Sequence, residues 1–226
     1  MEVINQALKK GQKSLSEHES KQLLTAKGIA VSKEALAQSP DEAKKLAREM
    51  GFPVVLKASG ALITHKTEKN LVELYVKNEA EVAEAYQGIA ARAGKDLEGV
   101  LVQEMVIGRR ELVMGLTRDA QFGPCVMFGL GGVLTEVLND VAFRVAPLEK
   151  RDALEMMQDI RGAKILQPFR GEPAADLETL SRYLIALGEI GLEYPQVQEI
   201  DINPVILSKR GPVAVDALVI LNPNGK

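Results

Sequence analysis

The sequence predicts a protein of two lobes, an α/β lobe followed by an α+β lobe. Helical and extended patterns alternate over residues 20–97, which is typical of an α/β arrangement. From Gly99 onward, short strand-like runs dominate and helices follow them. The length of 226 residues, 46% of them apolar, suffices for one large domain or two small lobes. We therefore expect a loosely held lead-in over residues 1–19, a first lobe over 20–97 and a second lobe over 98–226.

Helix caps and stops delimit the elements of the first lobe. Ser16 stands three residues before Glu19, which is the spacing of a capping box and predicts a helix start. Ser39, followed by Pro40 and two acids, predicts a second helix start. The predicted helices begin after Ser16, Ser39 and Asn78 and end at Gly28, Gly51 and Ala93. The predicted strands are Ile29–Leu36, Pro53–Lys57 and Leu71–Val76.

The second lobe has the pattern of an antiparallel sheet with helices on one side, because apolar residues alternate in short runs separated by turn residues. The predicted strands are 100–106, 111–116, 124–128, 133–138, 141–145, 198–207 and 213–220. The predicted helices are 149–160 and 176–190.

Composition and charge exclude several classes of protein. The net charge is −3, from 28 basic and 31 acidic residues, so the chain has no overall positive field for a nucleic acid. The single cysteine, Cys125, excludes an internal disulfide and a cysteine-based zinc site and fits a reducing compartment. The apolar runs are too short to span a bilayer, and the amino terminus has neither a signal nor a transit composition. We expect a cytoplasmic protein with no nucleic-acid and no membrane partner.

Two basic residues of the first lobe are candidates for phosphate chemistry. Lys57 ends the apolar run Pro53–Lys57, where its ammonium must reach water at the strand end or meet an anion such as a phosphate. His65 lies in an irregular stretch beside Lys66, which disfavours its protonated form and leaves a nucleophilic imidazole. A lone loop histidine is also a common surface residue, and we interpret the other histidine, His18, as solvated.

The segment after the predicted lobe junction offers groups for a nucleotide base. Gln103, Glu104 and Val106 lie on an extended strip whose backbone can read an adenine edge. Glu111 follows after a turn at Gly108. A plain β-hairpin with solvated charges is the alternative interpretation.

Two further features of the second lobe concern anions. The glycine cluster Gly129–Gly132 lacks the full dinucleotide-binding pattern, so a tight turn between strands explains it better than a phosphate loop. Arg144 is a charged residue among apolar neighbours and is a candidate to face an anionic ligand.

The strongest constellation is Glu199-Ile-Asp201-Ile-Asn203. Residues two apart share one face of a strand, so the side chains of Glu199, Asp201 and Asn203 line up. Asp216, alone in the apolar run 213–220, adds another oxygen donor across the predicted hairpin. Mg²⁺ prefers oxygen ligands and takes few of them from protein. The sequence therefore predicts a magnesium site, with a solvated sheet face as the alternative.

Together, these residues resemble an ATP-grasp domain, and more narrowly the small β subunit of ADP-forming acyl-CoA synthetases (acetate–CoA ligases), which is related to the succinyl-CoA synthetase β chain. The resemblance runs from about Ser20 to Leu221. The motifs that carry it are VVLK at 54–57, HKTE at 65–68, QEMVIGRREL at 103–112, QFGPCVMFGLGG at 121–132, FRVAPL at 143–148 and EIDINPV at 199–205. The order of the last four makes the match specific.

The resemblance implies a two-lobed ATP-grasp fold that holds ATP or ADP, with Mg²⁺, between its lobes. The residues that it implies for nucleotide binding are Lys57, Gln103, Glu104, Val106, Glu111 and Arg144. The residues that it implies for magnesium are Asp201, Asn203 and Asp216. His65 is implied as the catalytic residue that receives or relays the phosphoryl group.

The resemblance also implies a partner. In this family a CoA-binding α subunit carries the other phosphorylated histidine, and the two lobes leave no residues here for a CoA module. We therefore expect half of an enzyme, working in a hetero-oligomer. The expected reaction is phosphoryl transfer between ATP or ADP and a histidine relay, coupled to acyl-CoA formation or cleavage.

One departure from the family pattern leaves two alternatives open. After HKTE the family has paired glycines, where this chain has Lys69-Asn70-Leu71. This change favours a non-catalytic ATP-sensing module that closes onto a partner. The other alternative is a standalone ATP-grasp carboxylate–amine ligase, although the chain shows no substrate lobe for it.

Overall fold

The computed structural model describes residues 1–60, 63, 69–132, 138–168 and 170–223. The chain divides into two units. The first unit contains Met1–Ser14, Ser20–Val31 and Ile107–Lys226, and the second contains Leu15–Glu19 and Ser32–Val106. The helices are α1 (Glu2–Lys9), α2 (Glu17–Ala26), α3 (Pro40–Met50), α4 (Glu79–Ala93), α5 (Lys150–Asp159) and α6 (Leu177–Glu193). The strands are β1 (Glu34–Ala37), β2 (Val54–Ser59), β3 (Val72–Val76), β4 (Gly99–Glu104), β5 (Glu111–Asp119), β6 (Gly123–Leu130), β7 (Val141–Val145), β8 (Val197–Ser208), β9 (Gly211–Ala214) and β10 (Leu218–Leu221).

The second unit is a four-stranded antiparallel sheet in the order β1-β4-β2-β3, with α3 and α4 packed on one face. Ser39 and Asn78 cap these helices as predicted, since each side chain accepts a hydrogen bond from a backbone N–H three residues further on. Ala47 of α3, Ile89 of α4 and Leu56 of β2 meet in the core between helices and sheet. All three are buried, so this layer supplies the hydrophobic stabilisation of the unit.

The first unit is built on an antiparallel sheet in the order β10-β8-β5-β6-β7, with β9 paired to β8. α6 packs on β5 and β6, and α5 packs beside α6. The packing is close at Gly191 of α6, where an added Cβ would lie 2.6 Å from side-chain atoms of Leu116 and Pro124. The helices predicted over 149–160 and 176–190 are confirmed as α5 and α6.

Residues 1–14 contain the helix α1 and a bridge to β10, and both are packed, so the prediction of a loosely held lead-in is wrong there. α1 buries Ile4 and Ala7, which lie three residues apart on one helix face. The chain then pairs with the end of β10, where the Leu221 N–H donates to the Lys13 carbonyl at 2.8 Å. The polar composition of this stretch hides a short amphipathic helix.

The division of the chain between the units also differs from the prediction. Most of the predicted second lobe is the first unit of the structure. β4 is predicted to open that lobe, but it lies in the four-stranded sheet of the second unit, paired with β1 and β2. The predicted strand Ile29–Leu36 is divided, because Val31 forms a bridge with Ala214 in the first unit and β1 begins at Glu34. A strand pattern does not say which sheet a strand joins, since pairing depends on residues distant in sequence.

Two further strand predictions need correction. The predicted strand 213–220 is two strands, β9 and β10, with Asp216 between them. β9 pairs with the carboxyl end of β8 and β10 with its amino-terminal half, so the chain changes its path around Asp216. The predicted strand 133–138 lies outside the described residues except for Leu138, which is helical. None of the helices in the described ranges is long and apolar enough to cross a membrane.

Candidate functional site

Three acidic residues crowd together where β8 meets the break between β9 and β10. Ile200 and Ile202 are buried, so the alternation of the strand places Glu199 and Asp201 on the opposite face. Burial, together with the negative charges of Glu199 and Asp216, raises the pKa of Asp201 to about 6. The charges of Glu199 and Asp216 therefore disfavour the ionised form of Asp201, an effect that a bound cation would offset.

Asn203 lies at an irregularity of β8. The register with β5 shifts here, and the buried positions change from Ile202 to Val205. The Asn203 Oδ1 accepts a hydrogen bond from the N–H of Gly132 at 3.0 Å. The amide therefore links the acidic end of β8 to the glycine turn after β6.

Gly129 and Leu130 end β6, and the glycine turn that follows at Gly131 and Gly132 packs against the start of β5. The Gly131 N–H donates to the Glu111 carbonyl at 2.9 Å. Gly132 has a φ of +64°, and a Cβ there would lie 2.0 Å from the Glu111 Oε2. The turn thus brings Glu111 and Asn203 to one pair of glycines. The sequence predicts a tight turn between strands here, and the structure adds that Glu111 and Asn203 approach the backbone of this turn closely.

The oxygen donors at this place fit magnesium bound with a nucleotide. The described residues hold no group of three or more His, Cys, Asp or Glu side chains placed to bind a metal ion by themselves. The carboxylates of Asp201 and Asp216 lie near each other, and Asn203 follows Asp201 two residues later in β8. Mg²⁺ commonly binds one or two carboxylates and completes its octahedral shell with water and substrate phosphates. The set therefore suits a shared magnesium–phosphate site.

We expect the affinity for Mg²⁺-nucleotide to fall as the pH is lowered through about 6, because a cation binds only the deprotonated Asp201. Between pH values of about 4 and 6 the folded protein without metal holds a proton on Asp201 that the unfolded chain has lost, so its stability falls as the pH rises through that window. Calorimetric titration should show an affinity about 4-fold lower near pH 5.5 than near pH 7.5. Asp201→Asn should remove this difference, and equal wild-type affinities would contradict the assignment.

Lys57 meets an anion inside the second unit. Its Nζ donates to the Oε1 of Glu17 at 2.8 Å, and both residues are buried. The sequence predicts that the Lys57 ammonium meets either water or an anion. In the structure it meets an anion, the carboxylate of Glu17. Sequence reasoning missed Glu17, because it placed residues 1–19 in the lead-in.

Gln103 shares a sheet face with Lys57. Leu56 of β2 belongs to the core under the helices, so Val55 and Lys57 lie on the opposite face. Gln103 of β4 pairs with Val55 and lies on that face as well. The structure therefore brings together two of the predicted nucleotide-binding residues.

Glu104 and Val106 lie at and after the end of β4. The Glu104 N–H donates to the Lys33 carbonyl, and the Glu104 side chain accepts a hydrogen bond from the Lys33 N–H, both at 2.9 Å. Both the backbone N–H and the carboxylate of Glu104 are therefore used within the second unit. Val106 is buried in the irregular segment that follows.

Arg144 is not on the face that carries Asp201. It pairs with Val126 of β6, which continues across the sheet through Leu116 to Ile200, and this row is the buried face under the helices. Its guanidinium forms an ion pair with Asp159 of α5. The phosphate contact predicted for Arg144 gains no support from this geometry.

The catalytic prediction for His65 falls outside the described residues, as does the rest of HKTE. Asn70, just after it, has a φ of +53°, and its carbonyl accepts a hydrogen bond from the Arg92 Nε at 2.7 Å. Asparagine adopts this left-handed conformation more readily than other residues with a side chain. Asn70 thus takes a conformation that a glycine would also supply.

His18 is half-buried and paired, so its interpretation as a solvated residue is wrong. Its Nδ1 lies 3.0 Å from the Oε1 of Glu34, whose side chain is 5% exposed. Glu34 is the first residue of β1 and His18 lies at the start of α2. Local sequence patterns do not predict that these two elements lie side by side.

The fold is of mixed α/β type, with helices packed on two antiparallel sheets. The chain belongs to the ATP-grasp family, since the ATP-grasp domain matches residues 6–221. This confirms the predicted family and the predicted fold class.

Close relatives are ligases that form acyl-CoA. The chain is 42% identical, over 97% of both chains, to the β subunit of acetate–CoA ligase [ADP-forming] I of Pyrococcus furiosus. It is 40% identical over 97% of its length to acetate–CoA ligase [ADP-forming] I of Archaeoglobus fulgidus, of which it spans 33%.

A solved relative is the dinucleotide-forming acetyl-coenzyme A synthetase 1 of Ca. Korarchaeum cryptofilum in complex with coenzyme A, Ca-AMPCP and HgCl⁺. It is 42% identical, with a TM-score of 0.94 over 98% of this chain and 99% of that one. The same protein is also solved with coenzyme A and Mg-AMPPCP, with a phosphohistidine segment pointing towards the nucleotide binding site, at a TM-score of 0.87 over the same shares and 42% identity.

Proposed function

We propose that this chain is the nucleotide-binding, β-type subunit of an ADP-forming acyl-CoA synthetase. It transfers a phosphoryl group between ATP or ADP and a histidine relay, and a partner couples this step to the formation or cleavage of an acyl-CoA. The observation that carries the proposal is the closeness of the Asp216 carboxylate to that of Asp201, in a chain of the ATP-grasp family. The relatives that bind nucleotide analogues together with a divalent cation support it.

The first unit supplies the magnesium ligands of this proposal. Asp201, Asn203 and Asp216 hold Mg²⁺, which neutralises charge on the phosphates during transfer. Asn203 also accepts a hydrogen bond from the Gly132 N–H, which links the ligand set to the glycine turn. Glu111 beside this turn hydrogen-bonds the ribose.

The second unit supplies the groups for phosphate and base. Lys57 contacts the phosphates, and Gln103, Glu104 and Val106 line the place of the adenine. Phosphoryl transfer depends mainly on positioning and charge neutralisation, which is what a lysine fixed in a strand provides. The role of Arg144 in phosphate binding stays a sequence prediction, because Arg144 shares its sheet face with the core.

The partner is a CoA-binding, α-type subunit that carries a phosphorylated histidine. The Pyrococcus relative is a β subunit and the Archaeoglobus relative is a chain about three times as long, so the partner function is either a separate chain or part of the same one in these proteins. We propose that this partner selects the carboxylic acid. We also propose that the two form a cytoplasmic hetero-oligomer.

The relay role of His65 is tested by labelling. With the partner present, ATP carrying a radioactive γ-phosphate should label this chain at a histidine, and His65→Asn should abolish the label. His18→Asn is the matched control, since the chain has two histidines and His18 is held by Glu34. Retention of the label in His65→Asn, or no label in the wild type, would refute the relay.

The sensing alternative loses its main support. The segment Lys69-Asn70-Leu71, which replaces the family's glycines, favours this alternative, but Asn70 has a left-handed conformation that asparagine tolerates.

A further inference from the structure

Glu17 is a buried acid that none of the roles above explains. It lies in the first turn of α2, within the segment Leu15–Glu19 of the second unit. Its side chain is 2% exposed, and its Oε1 accepts a hydrogen bond from the Lys57 Nζ at 2.8 Å. A carboxylate this deeply buried is costly unless a cation and hydrogen bonds stabilise it, so the pair forms one unit.

The two partners are fixed independently of each other. The Ser16 Oγ accepts a hydrogen bond from the Glu19 N–H, and the Glu19 Oε2 accepts one from the Ser16 N–H, so a capping box holds the turn on both sides of Glu17. The backbone of Lys57 is paired on both sides, with Val72 of β3 and Leu101 of β4. The strand thus fixes one end of the lysine, and Glu17 fixes its ammonium.

We propose that Glu17 is a positioning residue for nucleotide binding, which acts by holding the ammonium of Lys57 at the place where a phosphate is bound. This inference rests on the proposed function, in which Lys57 contacts the phosphates. The Lys57 ammonium donates a hydrogen bond to Glu17, which fixes its position at the end of the side chain. A lysine held in this way has already lost the rotamer freedom that phosphate binding would otherwise cost. The helix start at Glu17 is therefore part of the nucleotide site.

A purely structural role for the pair makes a different prediction. In that case Glu17→Gln would weaken nucleotide binding only through general loosening, and by the same factor whether or not Lys57 is present. A positioning role requires that the effect depend on Lys57, which a double-mutant cycle measures.

The experiment measures the Kd for Mg²⁺-ATP by calorimetry in the full chain and its variants, with the thermal midpoint as a check of folding. Glu17→Gln should raise the Kd about 10-fold, because the amide oxygen can still accept a hydrogen bond but no longer carries the charge that holds the ammonium. In the Lys57→Met background the same change should add less than about 2-fold. In the partnered enzyme Glu17→Gln should raise the KM for nucleotide about 10-fold with little change in kcat, since uniform binding is lost.

Two further variants serve as a control for the helix start and as a second substitution of Glu17. Glu19→Gln weakens the same helix start without touching Lys57, and it should leave the Kd within about 2-fold of the wild type. Glu17→Asp keeps the charge but shortens its reach, and it provides a second variant if Glu17→Gln does not fold, with a Kd raised by a smaller factor. An unchanged Kd in the folded Glu17 variants, or equal factors in both backgrounds, would overturn the inference while leaving the proposed function intact. A wild-type chain that does not bind Mg²⁺-ATP would overturn both.

Discussion

Asp216→Asn should weaken the binding of Mg²⁺-ATP about 10- to 100-fold and leave the binding of metal-free ATP nearly unchanged. Asn keeps the size of the side chain and can still accept the hydrogen bond from the Ala217 N–H, now at 2.9 Å, so the local backbone should hold. It removes one of the two negative charges that Asp201 and Asp216 present to a cation. The measurement is calorimetry with and without Mg²⁺.

Glu199→Gln is the matched control for this prediction. Glu199 belongs to the same acidic row but is exposed, and the proposal does not make it a ligand. Its substitution should change the affinity for Mg²⁺-ATP by less than about 3-fold, as for an exposed charge. If Asp216→Asn weakened the binding of free and metal-bound ATP equally, the magnesium assignment would be refuted.

Gly132→Ala should have the second large effect, on the glycine turn. The residue has a φ of +64°, which costs alanine about 1–2 kcal/mol, and the new Cβ would lie 2.0 Å from the Glu111 Oε2. Because the Glu111 carboxylate must move and the hydrogen bond to Asn203 is strained, the affinity for Mg²⁺-nucleotide should fall about 10-fold or more. Calorimetry and urea unfolding measure the two effects separately.

Gly123→Ala is the control for backbone strain. Gly123 has a φ of +77°, but no atom lies within 4 Å of an added Cβ. Its substitution should lower the free energy of unfolding by a similar amount and leave nucleotide affinity unchanged. Equal losses of affinity in the two variants would show that the turn matters only for stability.

Local signals in the sequence predicted much of this structure. The caps at Ser39 and Asn78 and the capping box at Ser16 depend on neighbouring residues alone, and all three are confirmed. The shared face of Glu199 and Asp201 follows from the period of a strand, and Ile200 is buried on the other side as expected.

Features that depend on contacts between residues far apart in the chain could not be predicted from local sequence patterns. Lys57 and Glu17 lie 40 residues apart, and only the fold brings them to 2.8 Å. The face on which Arg144 lies depends on its register with Val126, and a strand pattern leaves both faces open. The sheet to which β4 belongs depends on its pairing with β1 and β2.

The most direct test of the proposed function is ATP formation from ADP, phosphate and an acyl-CoA. This chain should be combined with a CoA-binding α-type partner recovered with it, and each should also be assayed alone. The proposal predicts ATP formation when both are present, dependence on CoA in the reverse direction, and loss of the reaction in Asp216→Asn. ATP turnover by this chain alone with an amine acceptor, or no turnover with any CoA-binding partner, would contradict it.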